Sequence, residues 1–357
     1  MNKYFTILTS VFLFLNVLFI FPDAGFAQKL IIDVKIQNEM LLIRAEMDGA
    51  TPYMFEIPEA VGVIQKMELI YTMFEYSQSS SLWLEHRRRQ ILNQLEKSSK
   101  KNTDDSLQAA ENIHDLLKKL GQQVFNPIQS MVDNASQIEF VITKECSRFP
   151  FDALYFNGVQ LFLQKPVLYH LNKVHNSKID VTSAWKGFMV SERTADPDRG
   201  VLLVKKLFPG STYFDSSQVY LTDFAKAGQK DFVLISTHGS VKGLFLDHLA
   251  VYPKHLSPMK PRLVYLDSCT LGISHDFLNT LQKAGTIYYL GPILSNEDGN
   301  SSTITMNEFF KGLLKGEAPS RALFSARKIL YNHFKTQNND FNMLMYRAFT
   351  FRVYRLN

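Results

Sequence analysis

Two stretches decide how this chain is read: "DFVLISTHG" (Asp231–Gly239) and "RLVYLDSCTLG" (Arg262–Gly272). Each is a short run of Val, Leu, Ile, Phe or Tyr that stops on a reactive side chain, His238 in the first and Cys269 in the second, with a glycine close behind. Short apolar runs that do not alternate with polar residues are expected of strands buried on both faces of a parallel sheet. In such sheets the reacting groups gather at the carboxyl ends of the strands, where the loops turn outward over a crevice. The two stretches therefore raise the possibility of an imidazole and a thiol presented side by side.

Three further stretches read as buried strands: "IEFVIT" (Ile138–Thr143), "GVLLVKKL" (Gly200–Leu207) and "TIYYLG" (Thr286–Gly291). Helical spacing of apolar residues predicts helices over Asp215–Ala227, His275–Ala284, Thr303–Lys315 and Ser320–Phe334. Strands alternating with helices predict an α/β fold, a three-layer α/β/α sandwich with a mostly parallel sheet. Ahead of it, Lys29–Ile57 reads as a small β-meander split by "QNE" and "DGATP" turns. A helical segment follows, with Ile64, Met67 and Ile70 on one face, then Leu84, Ile91, Leu92 and Leu95, then Ile113, Leu117 and Leu120. The polar run Glu96–Asp105 between the second and third groups reads as an exposed loop. No repeat of the tetratricopeptide kind appears.

The 357 residues suffice for a large core, and 46% hydrophobic with 20% charged residues argues against extended disorder. The net charge of +5 is scattered, and its one dense run, His86–Arg89, lies within a helical pattern, so nucleic acid is not expected as a partner. Residues 1–27 differ from the rest: Lys3, an apolar stretch from Tyr4 to Phe21, then small residues at Gly25 and Ala27, which is the pattern of a signal peptide cleaved after Ala27. The apolar stretch would act as a membrane anchor if retained. Either way the bulk of the chain is expected outside the cytoplasm. Two cysteines in an oxidising compartment suggest a Cys146–Cys269 disulfide, the simplest alternative to a reactive Cys269.

A thiol needs a base to react at neutral pH, and an imidazole fills that role and then serves as acid to the leaving amine. Gly239, lacking a Cβ, permits close approach of a substrate backbone and can aim its amide at a developing oxyanion. His248, His255 and His275 lack metal-ligand spacing, and "STHGSVKG" lacks the spacing of a phosphate loop, so neither a metal nor another cofactor is expected.

On these residues the sequence resembles the caspase-fold cysteine peptidases, the group of caspases, metacaspases, legumains, gingipains and separases, and most closely the CHAT domain. "STHG" (Ser236–Gly239) and "LDSCTLG" (Leu266–Gly272) are similar to that family's histidine and cysteine motifs. "ITKECSRFPFDALYF" (Ile142–Phe156), "AGTIYYLGPILSNEDGNSS" (Ala284–Ser302), "FFKGLLKGEAPSRALFSARKIL" (Phe309–Leu330) and "LLIRAEMDGATPYMFEI" are similar to other segments of it. The resemblance implies an N-terminal half over residues 28–175 and a catalytic half over 176–357. It implies a cysteine endopeptidase with His238 and Cys269 as dyad, the amides of Gly239 and Cys269 as oxyanion donors, and a protein or peptide substrate. It places Cys146 at a position with no catalytic role.

Asp267 departs from the CHAT pattern and makes "DSC" resemble metacaspases and clostripain-like peptidases, where the equivalent acid selects a basic residue before the scissile bond. An Arg fork is the best partner for such a carboxylate; alternatively Asp267 caps a turn through its own backbone. Asp298 is a second candidate acid for that pocket. A non-catalytic sensor or scaffold on the same fold is the alternative function. Since CHAT-like domains usually receive a signal through attached domains, an activating protein partner is expected.

Overall fold

The computed structural model describes residues 28–47, 50–60, 62–63, 113–295, 299–336 and 347–357. The N-terminal segment, the first two helical groups, the Glu96–Asp105 loop and Asp298 lie outside the described residues. Among the described residues no helix is long and apolar enough to cross a membrane.

The strands in chain order are β1 (Lys29–Gln37), β2 (Met40–Met47), β3 (Tyr53–Ile57), β4 (Gln137–Ile142), β5 (Tyr155–Phe156), β6 (Val159–Gln160), β7 (Val167–Leu171), β8 (Gly187–Ser191), β9 (Thr212–Asp215), β10 (Phe232–Ser236), β11 (His238–Ser240), β12 (Gly243–Leu246), β13 (Leu249–Val251), β14 (Leu263–Asp267), β15 (Tyr288–Pro292) and β16 (Phe351–Arg355). One large sheet runs β3-β2-β1-β4-β7-β16-β15-β14-β10-β8-β9. It is two parallel blocks laid in opposite directions: β15, β14, β10, β8 and β9 run one way, while β1, β4, β7 and β16 run the other. The blocks meet where β15 pairs antiparallel with β16. The boundary expected near residue 175 falls between β7 and β8, and the sheet continues across it through the inserted β16.

The meander is present, with Leu30, Ile32 and Val34 of β1 and Leu41, Ile43 and Ala45 of β2 buried in strict alternation. It extends the large sheet, because β1 pairs in parallel with β4. The interior strands β7, β8, β10, β14, β15 and β16 are buried throughout. Their side chains alternate between two apolar layers, each buried large residue contributing about 1.5–3 kcal/mol. Phe232, Leu234, Tyr265 and Leu290 face one layer with Phe309 and Phe310 of the helix Asn300–Leu314. Val233, Ile235, Val264 and Leu266 face the other with Phe277, Leu278 and Leu281 of the helix His275–Lys283. A sheet between two helical layers is the α/β/α sandwich expected.

Two expectations need correction. Gly200–Leu207 is a helix. The Asp196 carboxylate accepts the amides of Gly200 at 2.6 Å and Val201 at 3.1 Å, satisfying donors that the first turn leaves open, while Val201 and Val204 bury one face. Asp215 ends β9, and the helix expected from it is split into a single 3-10 turn, Ser216–Gln218, and a short α-helix, Leu221–Lys226. The helices His275–Lys283, Asn300–Leu314 and Pro319–Lys335 match their predicted positions within a few residues.

Candidate active site

β10 pairs in parallel with β14 and aligns Ser236 with Asp267, and β8 on the other side aligns Ser191 with Ser236. The ladder reaches one step further: the Glu192 amide donates to the Ser236 carbonyl at 2.8 Å, and the Thr237 amide to the Asp267 carbonyl at 3.1 Å. His238 and Cys269 therefore follow neighbouring, in-register strands by the same interval and emerge at one edge of the sheet.

Beyond Thr237 the chain enters a small antiparallel sheet, β11-β12-β13, with His238 opposite Phe245. The Thr237 hydroxyl fixes this corner by donating to the Phe245 carbonyl at 2.5 Å. His238 is half exposed. Cys269 is partly buried and is followed by Thr270 in the left-handed region (φ 58°), whose amide donates to the Leu294 carbonyl at 3.1 Å. The loop then packs tightly on β15: a Cβ on Gly272 would stand 2.4 Å from the Gly291 carbonyl oxygen, a contact only glycine permits. Tyr289 and Tyr354 donate to the carbonyls of Leu271 and Gly272, each at 2.8 Å, and hold the loop from below.

The histidine and cysteine loops touch. A Cβ on Gly239 would fall 2.1 Å from Ser268 Oγ and 2.9 Å from the Gly243 carbonyl oxygen. Gly239 thus has a packing reason for lacking a side chain as well as the chemical one drawn from its sequence position. Further along, the Ser274 hydroxyl donates to the Val241 carbonyl at 2.6 Å, tying the β11–β12 turn to the segment after Cys269. A cavity of about 540 Å³ opens beside this tie, lined by Lys144, Arg148, Val241, Ser274, His275 and Asp276 among others.

Asp267 is buried at the end of β14. Its Oδ2 accepts the Ser236 hydroxyl at 2.7 Å and the hydroxyl of Ser302, which lies on the helix Asn300–Leu314. Asp298 is outside the described residues. No disulfide joins Cys146 and Cys269. Cys146 is fully buried, and that burial pushes its thiol up to about 11.

The other histidines are engaged elsewhere. His255 Nδ1 accepts the Tyr252 amide at 3.0 Å, His248 packs on the Tyr220 ring, and His275 Nε2 meets Ser147 Oγ at 2.9 Å. Among the described residues no cluster of three His, Cys, Asp or Glu could hold a metal ion.

The structure adds two residues that the sequence reading did not single out. Just past β8, Glu192 and Thr194 reach His238: Thr194 Oγ1 lies 2.8 Å and Glu192 Oε2 3.6 Å from its Nε2. Glu192 also accepts the Thr194 hydroxyl at 2.5 Å and the amides of Thr194 and Ala195 at 3.0 and 2.9 Å. Burial would raise this carboxyl, but those hydrogen bonds and the nearby His238 hold it below the usual glutamate range.

No family model matches the sequence, and no curated protein matches it. Among solved structures, the fold is similar to that in the Saccharomyces cerevisiae separase–securin complex, with a TM-score of 0.54 at 12% identity. The alignment covers 92% of this chain and 30% of that chain, so the likeness is to about a third of the larger molecule. At this identity it is a likeness of fold, and the fold is a caspase-like α/β/α sandwich.

Proposed function

We propose that this chain is an exported cysteine endopeptidase of the CHAT type that cuts after Arg or Lys. The observation that carries the reading is the placement of His238 and Cys269 at equivalent positions past paired strands, with their loops packed through Gly239 and Ser268. In this mechanism His238 takes the thiol proton, and the Cys269 sulfur attacks the scissile carbonyl carbon. The amides of Gly239 and Cys269 stabilise the oxyanion. As the C–N bond breaks, His238 passes its proton to the departing amine, leaving a thioester. His238 then draws a proton from water, the hydroxide displaces the sulfur, and the acid product leaves with the thiol restored.

The buried Asp267 carboxylate at the same strand end supports a pocket for a cationic side chain, with Ser236 and Ser302 holding the acid in place and Asp298 as a second acid. The resemblance in fold to separase, one of the caspase-fold peptidases, supports a protein substrate, and its solution in complex with securin supports control by a protein partner.

The test is hydrolysis of a peptide library varied at the residue before the scissile bond, by the wild type and by Cys269→Ala. Cleavage after Arg and Lys that disappears in the variant is the expected result. Activity surviving in Cys269→Ala overturns the dyad, and a preference for Leu or Asp overturns the basic pocket. No cleavage by the wild type under any condition favours the non-catalytic sensor or scaffold.

A further inference from the structure

We propose that Thr194 is a positioning residue that fixes the proton of His238 on Nε2, leaving Nδ1 as the base that takes the Cys269 proton. The mechanistic half of this rests on the peptidase reading above; the tautomer stands on geometry alone. Glu192 is bonded to two backbone amides and one hydroxyl and sits below the usual glutamate range, so near neutral pH it is a carboxylate and accepts only. Thr194 has one hydroxyl proton, and the 2.5 Å contact with Glu192 Oε2 consumes it. Its oxygen can then meet His238 Nε2, 2.8 Å away, only as an acceptor. Nε2 must therefore carry hydrogen, and a neutral imidazole with Nε2–H has its lone pair on Nδ1. Among the described residues Nδ1 makes no hydrogen bond.

The chain Glu192–Thr194–His238 does two things for the chemistry. It selects the tautomer, and it anchors the ring through Nε2, so that Nδ1 is left outside these contacts. When His238 becomes cationic, the Glu192 carboxylate 3.6 Å from Nε2 stabilises the charge through the same contact. The Glu192 backbone is itself locked to β10 through the Ser236 carbonyl, so the arrangement is held by the sheet.

The experiment is a long-range proton–nitrogen correlation on the full chain labelled with nitrogen-15 histidine, with His238→Gln assigning the resonances. The expected wild-type spectrum shows Nε2 protonated and Nδ1 bare. Thr194→Ser should keep that spectrum, and Thr194→Val should give a mixture of tautomers. Cys269 alkylation by iodoacetamide at neutral pH is read alongside: about tenfold slower in Thr194→Val, within about twofold of wild type in Thr194→Ser. An Nδ1–H tautomer in the wild type, or a Thr194→Val spectrum identical to wild type, overturns the proposal. Neither readout requires turnover, so an Nε2–H tautomer in a protein that cleaves nothing would sink the peptidase reading while leaving the role of Thr194 in fixing the tautomer standing.

Discussion

Ser236 of β10 donates its hydroxyl to the Asp267 carboxylate, its register partner on β14, at 2.7 Å. A short donor from the neighbouring strand holds the carboxylate at the strand end, which is how a specificity acid must be held if it is to discriminate. Asp267→Asn keeps an acceptor for both serine hydroxyls and removes the charge. It is expected to lower kcat/KM on Arg substrates on the order of a hundredfold while leaving Cys269 alkylation unchanged. Equal losses in alkylation and hydrolysis would assign Asp267 a purely structural role.

Gly239→Ala drives a methyl group into Ser268 Oγ and the Gly243 carbonyl. The histidine loop must then shift relative to the cysteine loop, and kcat/KM should fall at least about tenfold. Adding Ser268→Ala removes the closest clash while the Gly243 contact remains. Part of the loss should therefore return, a coupling that a double-mutant cycle reads directly.

Arg327 and Asp152 form a buried ion pair at 3.0 Å, and Arg327 also donates to the carbonyls of Phe349 and Phe351. The pair links the helix Pro319–Lys335 to the segment after β4. Arg327→Met leaves the buried carboxylate with the Tyr169 hydroxyl at 2.7 Å and the Arg352 guanidinium at 4.0 Å as partners, and should cost about 3 kcal/mol in urea unfolding. Arg327→Met with Asp152→Asn should recover part of it.

Two buried carboxylates should respond to pH with opposite sign. Burial alone would raise Glu139, but the hydrogen bond and charge of His170, together with Lys29 and Arg355, hold it at about 2, below its ordinary 4.5. Its contribution to stability is present above pH 4.5 and is lost as pH falls toward 2; Glu139→Gln should abolish that acid loss. Asp196 is pushed up to about 6 by burial, from an ordinary 3.8. Its contribution is present below pH 3.8 and is lost as pH rises through 6, so Asp196→Asn should flatten denaturation midpoints over that window.

Iodoacetamide should modify one cysteine. Burial raises the Cys146 thiol and bars the reagent, so mass spectrometry of the folded wild type should place the adduct on Cys269. Cys269→Ala should show no adduct over the same interval. Rapid modification of Cys146 would contradict the burial described.

The stretches around His238 and Cys269 were legible because parallel interior strands are short, apolar on both faces and end where the loops turn out. "GVLLVKKL" opens with the same kind of apolar run, yet the Asp196 carboxylate upstream and burial on one face alone make it a helix. Composition does not report those two facts. β7 and β8 were missed because "VLYHL" and "GFMVS" each include a residue that weakens a strand signal, His170 and Gly187. His170 is accommodated by Glu139, 31 residues away in sequence, and Gly187 by the Phe232 ring, which would meet a Cβ there at 2.3 Å. Glu192 and Thr194 were illegible for the same reason: without β8, nothing in the sequence places them beside His238, 44 residues beyond Thr194. The reversal of the two sheet blocks likewise rests on where β16 inserts.

That insertion governs how the molecule can be made. β16 is the last described strand in the chain and lies at the middle of the sheet, between β7 and β15. During synthesis every other described strand emerges first, and the two blocks wait with their inner edges open until Phe351–Arg355 arrives. Contacts of such long sequence separation form slowly, and open edges invite association with other chains. A nascent or truncated chain ending before Phe351 would thus carry His238 and Cys269 on an unclosed sheet, a natural point for chaperone dependence.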